Sequence, residues 1–333
     1  MIHRIRTIDA HAAGEPLRLV IEGLPSPEGA TMLEKRAWAQ RHIDHLRRSI
    51  MLEPRGHADM YGALLTEPVS EGAHAGVLFM HNEGWSTMCG HGVVAVTTIA
   101  IERDLIWPGG PAIVLDSPAG PVQASATVRH SDRQRRVSSV AFRNVPSFVF
   151  EAGLPIKVEG RIVPVDVSFG GAFYAIADAE AVGQAVDPAN LPALRRIGMD
   201  IKREVERLRQ VVHPLDPGLK GIYGTIFTAP ARHPDAHLCN VTVFADAEVD
   251  RSPCGTGTAA VMAVLSEMGV LSEEGTFAHE SIVGTLFTGR IAGRVQVADR
   301  AAIVPEIQGS AWITGEHTFL IDGDDPLKAG FRL

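Results

Sequence analysis

The 333-residue chain is poor in cysteine, with three, poor in tyrosine, also with three, and it has no excess of positive charge. Cys89, Cys239 and Cys254 are too few and too unevenly spaced for a disulfide scaffold, so a reduced, cytoplasmic setting is expected. The net charge of −8 comes without a block of like charges, which disfavours a nucleic-acid partner. No apolar run reaches the ~18 residues of a membrane span. The opening stretch MIHRIRTIDAHAAGEP has no apolar segment of the kind found in secretory signals, and no membrane association is expected. Neither HExxH nor a paired CxxC occurs, so no metal is expected. What the chain has in quantity is apolar residues, 45% against 21% charged, which is a globular composition with ample core. The length allows two domains.

Two of the three cysteines share one setting: TMCGHG (87–92) and SPCGTG (252–257) lie 165 positions apart. At that offset VTVFADAEVDRSPCGTGTAAV aligns with GVLFMHNEGWSTMCGHGVVAV. Phe244 falls on Phe79, Glu248 on Glu83, Ser252 on Thr87, Cys254 on Cys89, Gly255 and Gly257 on Gly90 and Gly92. ESIVG (280–284) matches DSPAG (116–120) one residue further on. Asp166 and Gly171 match Asp9 and Gly14 at an offset of 157. Matches that keep their order while the offset drifts indicate a duplicated domain with loop insertions. The period is far longer than a solenoid repeat.

Each copy reads as a short apolar strand (77–80 and 241–244), a polar loop, the Cys-Gly-x-Gly segment, and then a proline-free run, VVAVTTIAIERDL or TAAVMAVLSEMG. Apolar residues on most of the circumference predict a helix buried on most sides. In the second copy Asp250 and Ser252 are candidate caps, and Pro253 suits a first turn. Other runs are β-rich: VQASATV, RRVSSVAF, RIVPVDVSF, RVQVA and AWITGEHTFLI. Each half is therefore expected to be a mostly antiparallel sheet around one central helix. An amphipathic helix is expected at 195–211, and NVPSF (144–148) is the expected hinge. Cys239, at the mouth of a strand, reads as a small half-buried hydrophobe.

A thiol at a helix N-terminus sits by unpaired N–H groups and the positive end of the dipole. Its pKa can fall from about 8.5 to between about 3.5 and 7.5 there. The same N–H groups bind carboxylates, which the glycines let approach closely. Two similar domains facing one cleft would bring one sulfur to each side of a bound acid, held by N–H groups at Gly90, His91, Gly255 and Thr256. That arrangement suits removal of a proton from one face of a carbon and its return to the other. The N–H groups would stabilise the charge that develops on the carboxylate. No cofactor motif is evident, and none is expected. The glycines also satisfy G-x-G-x-x-A, but a dinucleotide site runs its strand almost directly into the glycines, whereas roughly nine residues intervene here. Two structural cysteines at helix ends remain the alternative.

MCGHG and DRSPCGTGT resemble the signature segments of the proline racemase family, which includes proline racemases, 4-hydroxyproline 2-epimerases and trans-3-hydroxy-L-proline dehydratases. The resemblance extends to DAHAAGEPLR (9–18), RGHADMYGALL (55–65), NVPSF and FGGAFYA (169–175). It implies an α/β (α+β) fold like that of diaminopimelate epimerase, with two pseudo-symmetric domains, each a barrel-like sheet around a central helix. Residues 1–145 with about 318–333 would form the first domain and 146–317 the second. The resemblance also implies a homodimer, no cofactor, and a small imino acid, proline or a hydroxyproline, as substrate.

Carried across, Cys89 and Cys254 become the acid/base pair, and Gly90, His91, Gly255 and Thr256 the carboxylate site. Asp250 would meet the ring nitrogen, or serve only as a cap. Phe244 would pack on the pyrrolidine ring, or be an ordinary core residue. HNEGWSTMCGHG and FGGAFYA resemble the dehydratase branch, which usually has Thr at the position of Cys254. HAAGEP lacks the Thr that commonly follows His in the family. Two sulfurs point to racemisation or epimerisation. The alternatives are dehydration with Cys89 as base, and an imino-acid-binding protein without catalysis.

Overall fold

The computed structural model describes residues 2–106, 110, 112–131 and 134–332. The chain divides into two compact units, one of Met1–Phe142 with Ser310–Leu333, the other of Arg143–Gly309.

The first unit opens with β1 (Ile2–Ala12) and β2 (Glu15–Glu22), an antiparallel hairpin. Its two-residue turn has positive φ at both Ala13 and Gly14, the geometry that matches strand twist in a tight hairpin. Two helices follow, α1 (Met32–His42) and α2 (Asp44–Met51). Thr31 and Glu34 close a reciprocal capping box at the start of α1. Then come β3 (Tyr61–Thr66), β4 (Ala75–His81), the short β5 (Trp85–Ser86), α3 (Gly90–Glu102), β6 (Ala112–Ser117), β7 (Gly120–Ser131) and β8 (Gln134–Arg143).

The second unit holds β9 (Phe148–Val158), β10 (Arg161–Phe169), β11 (Phe173–Asp178), α4 (Leu191–Leu208), β12 (Ile222–Pro230), β13 (Leu238–Phe244) and β14 (Glu248–Asp250). It ends with α5 (Gly255–Glu267), β15 (Thr276–Ser281), β16 (Leu286–Val297) and β17 (Arg300–Gly309). The chain then returns to the first unit as β18 (Ala311–Asp322). β18 pairs with β1 along its whole length, from Asp322 opposite Ile2 to Ala311 opposite Ala12. It therefore belongs to the first unit from its first residue, and not from about residue 318.

The pairing pattern repeats. In the first unit β2–β3 is parallel, β3–β4 and β4–β5 antiparallel, β4–β6 parallel and β6–β7 antiparallel. In the second, β11–β12 is parallel, β12–β13 and β13–β14 antiparallel, β13–β15 parallel and β15–β16 antiparallel. Helices fall at matching places, α1 and α2 where α4 falls, and α3 where α5 falls. The duplication read from the sequence is thus a duplication of topology. In the second unit the strands close on themselves. Ser147, just before β9, exchanges backbone bonds of 2.8 and 2.9 Å with Ile303 of β17.

The two cysteine-capped helices are buried within their units. Every residue of α3 from Gly90 to Ile101 is buried, as is every residue of α5 from Gly255 to Val264. Neither carries a charge before its last residue, so burial meets no ionic penalty. Each buried Val or Ile contributes about 1.5–3 kcal/mol. The amphipathic helix runs Leu191–Leu208, earlier than the expected 195–211, and buries Leu194, Ile197, Ile201 and Val205 at helical spacing. Among the described residues no helix is long and apolar enough to cross a membrane.

Candidate active site

In both units a buried strand delivers the chain to a cysteine that caps the central helix with its own sulfur. In the first, β4 turns back through β5, with Phe79 opposite Ser86. Cys89 follows as the N-cap of α3, its Sγ accepting from the Gly92 N–H at 3.3 Å. In the second, β13 turns back through β14, with Phe244 opposite Glu248 and Thr242 opposite Asp250. Cys254 caps α5, and its Sγ accepts from the Gly257 N–H, also at 3.3 Å. Both cysteines are buried, at 4% and 6% exposure.

This corrects the expected cap. Asp250 and Ser252 do not cap α5, and Pro253 precedes it. The Asp250 carboxylate instead accepts from the Ser252 N–H at 2.8 Å and the Ser252 hydroxyl at 2.7 Å. That hydroxyl accepts from the Cys254 N–H at 3.1 Å. The Pro253 carbonyl accepts from Asn240 and from the Thr258 hydroxyl. The carboxylate thus sets the turn that places the sulfur, one step removed from the helix end.

The second glycine of each motif makes room for its sulfur. A Cβ on Gly92 would lie 2.5 Å from the Phe79 ring and 2.9 Å from Cys89 Sγ; on Gly257 it would lie 2.9 Å from Cys254 Sγ and 3.0 Å from Ile226. Gly90 and Gly255 occupy the first helical position, and His91 and Thr256 the second. An α-helix gives the N–H groups at these positions no carbonyl four residues back, so they suit a carboxylate.

The two caps differ in what surrounds the sulfur. Cys89 has ordinary extended backbone, with φ −148°. Its Sγ lies 3.3 Å from Nδ1 and 3.5 Å from Nε2 of the buried His91. The Tyr61 ring stands edge-on to His91 at 4.8 Å, and its hydroxyl donates to Ser86 at 2.7 Å. Cys254 has φ +62°, a conformation that strains a residue with a Cβ by about 1–3 kcal/mol. Hydroxyls surround this sulfur, with Tyr174 at 3.8 Å and Thr256 at 3.9 Å, and the two oxygens are 2.6 Å apart.

The helix-start argument predicts a lowered thiol pKa. At Cys254 the shift is upward, to about 12. Burial is the largest cause and the Asp250 charge the second. The Gly257 N–H and the Tyr174 and Thr256 hydroxyls oppose them without overcoming them. This sulfur is therefore a thiol at neutral pH.

Phe244 is buried at the end of β13, its ring stacked on Tyr223 at 5.4 Å, and Tyr223 stands perpendicular to Tyr174 at 5.9 Å. Cys239 is almost fully buried, its Sγ 3.5 Å from the Arg232 guanidinium. The sequence motifs assign no role to the tyrosines. A signal exists for two of them: YGALLT (61–66) and YGTIFT (223–228) repeat at an offset of 162. Tyr174 lies in the quoted segment FGGAFYA, but nothing in the sequence tied it to Cys254.

Fold and site together define an enzyme built by duplication around two helix-capping cysteines. The chain belongs to the proline racemase family, whose description matches residues 7–332. It is 49% identical over 329 residues to a trans-3-hydroxy-L-proline dehydratase of Bacillus cereus, covering 98% of this chain and 97% of that one. It is 40% identical over 333 residues to a proline racemase of Clostridioides difficile, covering 99% and 98%. Among solved structures, a hydroxyproline epimerase from Agrobacterium vitis with bound trans-4-hydroxy-L-proline matches with a TM-score of 0.91 and 31% identity, over 99% of this chain and 95% of that one.

Proposed function

We propose that this enzyme is a cofactor-independent racemase or epimerase acting at the α-carbon of proline or a hydroxyproline. Cys89 and Cys254 are its two acid/base groups. One observation carries the reading: both central helices are capped by a cysteine, each sulfur held by the N–H three residues on. A two-base inversion needs a thiolate on one face of the substrate and a thiol on the other, and the roles exchange with the enantiomer. The raised pKa of Cys254 fits the thiol role at rest. The substrate carboxylate is assigned to the N–H groups of Gly90, His91, Gly255 and Thr256, where negative charge grows as the α-proton leaves. Asp250 is assigned to the protonated ring nitrogen and Phe244 to the ring itself. A homodimer is part of the same reading.

The second reading is dehydration of trans-3-hydroxy-L-proline, with Cys89 removing the α-proton and the 3-hydroxyl leaving as water. Its support is the higher identity to the dehydratase, 49% against 40% to the racemase. Incubation in D₂O with L-proline, trans-4-hydroxy-L-proline and trans-3-hydroxy-L-proline in turn separates the two. Deuterium uptake at the α-carbon with inversion is expected for the first or second substrate. Imine from the 3-hydroxy substrate, without exchange into the others, would establish the lyase instead. Cys254→Ser is expected to abolish inversion, and inversion at the wild-type rate in that variant would refute the two-base assignment.

A further inference from the structure

Cys254 sits beside a pair of hydroxyls, those of Tyr174 and Thr256. Tyr174 belongs to β11, between β10 and β12, and its side chain is fully buried. A buried phenol needs a partner for its O–H. The partner here is Thr256 Oγ1 at 2.6 Å, on the first turn of the helix that Cys254 caps. The ring is held edge-on by Tyr223. Both oxygens also lie within reach of Cys254 Sγ, at 3.8 and 3.9 Å.

We propose that Tyr174 is a positioning residue for Cys254, its hydroxyl forming with Thr256 a donor–acceptor pair that follows the protonation state of the sulfur. The proton count supports this. Two hydroxyls carry two protons, and the bond between them uses one. Whichever oxygen donates within the pair, the other keeps one O–H for the sulfur. When Cys254 is a thiol, its S–H can donate to an oxygen lone pair. When it is a thiolate, the remaining O–H turns to it, and a hydrogen bond to an ion is about twice as strong as a neutral one. Such a device matters at this site because the buried sulfur also faces the Asp250 carboxylate, which opposes the thiolate. Tyr223 is the other ionisable group that acts on Tyr174. At Cys89 a neighbouring group is the His91 imidazole, 3.3 Å from the sulfur.

The test is alkylation by iodoacetamide at a fixed, mildly alkaline pH, followed by peptide mass spectrometry of the three cysteines. No substrate is needed. The proposal rests on the two-cysteine reading for its catalytic meaning, but a failed exchange experiment would leave this measurement intact, and the reverse also holds. Either single substitution leaves one O–H for the sulfur, so the decisive variant is Tyr174→Phe/Thr256→Val, in which Cys254 is expected to react about tenfold more slowly, the equivalent of one pH unit in thiolate fraction, while Cys89 keeps its rate. An unchanged or faster Cys254 rate overturns the proposal. Equal slowing at both cysteines also overturns it, because a general packing defect would produce that. Cys239, buried in β13, reports on the fold. Should it become reactive in that double variant, the same measurement on Tyr174→Phe/Thr256→Ala decides. Selective slowing at Cys254 supports the pair, and none refutes it.

Discussion

Acidification should destabilise the second unit through His279. This side chain lies on β15, with no exposure, against the Phe277 ring at 5.0 Å. Its Nδ1 is 2.9 Å from the Thr258 hydroxyl, and that hydroxyl donates to the Pro253 carbonyl at 3.1 Å. One hydroxyl has one proton, so Nδ1 carries the hydrogen and Thr258 accepts it. Nε2 is buried and has no partner among the described residues. Burial pushes the imidazole pKa down to about 3. In the unfolded chain the value is about 6.5. Below that pH the unfolded state binds the extra proton and the folded state does not, so stability falls as pH falls and levels off near the folded value. From about pH 8 to about pH 5 the loss from this one group is about 2 kcal/mol, from RT ln(1 + 10^1.5). The perturbation is His279→Asn, which keeps an N–H toward Thr258 and cannot titrate in this range. Urea unfolding of both proteins at the two pH values isolates the group, because the other histidines are common to both. The variant is expected to be less stable at the higher pH, with a deficit about 2 kcal/mol smaller at the lower. A deficit that stays the same at both pH values would show that His279 is not held neutral, and the reasoning would fail.

Alkali should act with the opposite sense at Cys254. Its folded pKa of about 12 lies above that of an unfolded thiol, so wild type loses stability as pH rises from about 9, and Cys254→Ser should be flatter over that range. Unfolding midpoints against pH check this. Gly257→Ala gains about 1 kcal/mol of helix propensity but places a methyl 2.9 Å from the sulfur, so near-wild-type melting with a loss of inversion of tenfold or more is expected. Gly92→Ala pushes on the fully buried Phe79 as well and should lower the melting temperature too, since overpacking costs about 1–3 kcal/mol. Asp9→Asn removes the carboxylate from the buried Arg18, whose Nη2 is 2.8 Å from it. Two backbone carbonyls still accept from Arg18, so a destabilisation near the low end of about 3–5 kcal/mol is expected by chemical denaturation.

The sequence by itself determined the parts of this protein that depend on local pattern and on repetition. Both central helices are legible because an uncharged, proline-free run with apolar residues all round has no stable place except a core. The duplication is legible because Cys, Gly and Phe recur in one order, and the strand pairings repeat in that order too. The candidate sulfurs followed from those two facts. Other features depended on residues that meet only when the sheet forms. Asp250 has the sequence context of a helix cap, yet pairing opposite Thr242 in β14 turns its carboxylate to Ser252 and leaves capping to the sulfur. The upward shift at Cys254 arises because burial outweighs the helix start, and burial is a property of the whole unit. Tyr174 is 80 residues from Cys254 along the chain and 3.8 Å away in space. Period and composition fix which segments become helix or strand, because those preferences are local. Which side chain shares a proton with which sulfur is a tertiary matter, because it is set by distances of a few tenths of an ångström that no spacing along a chain encodes.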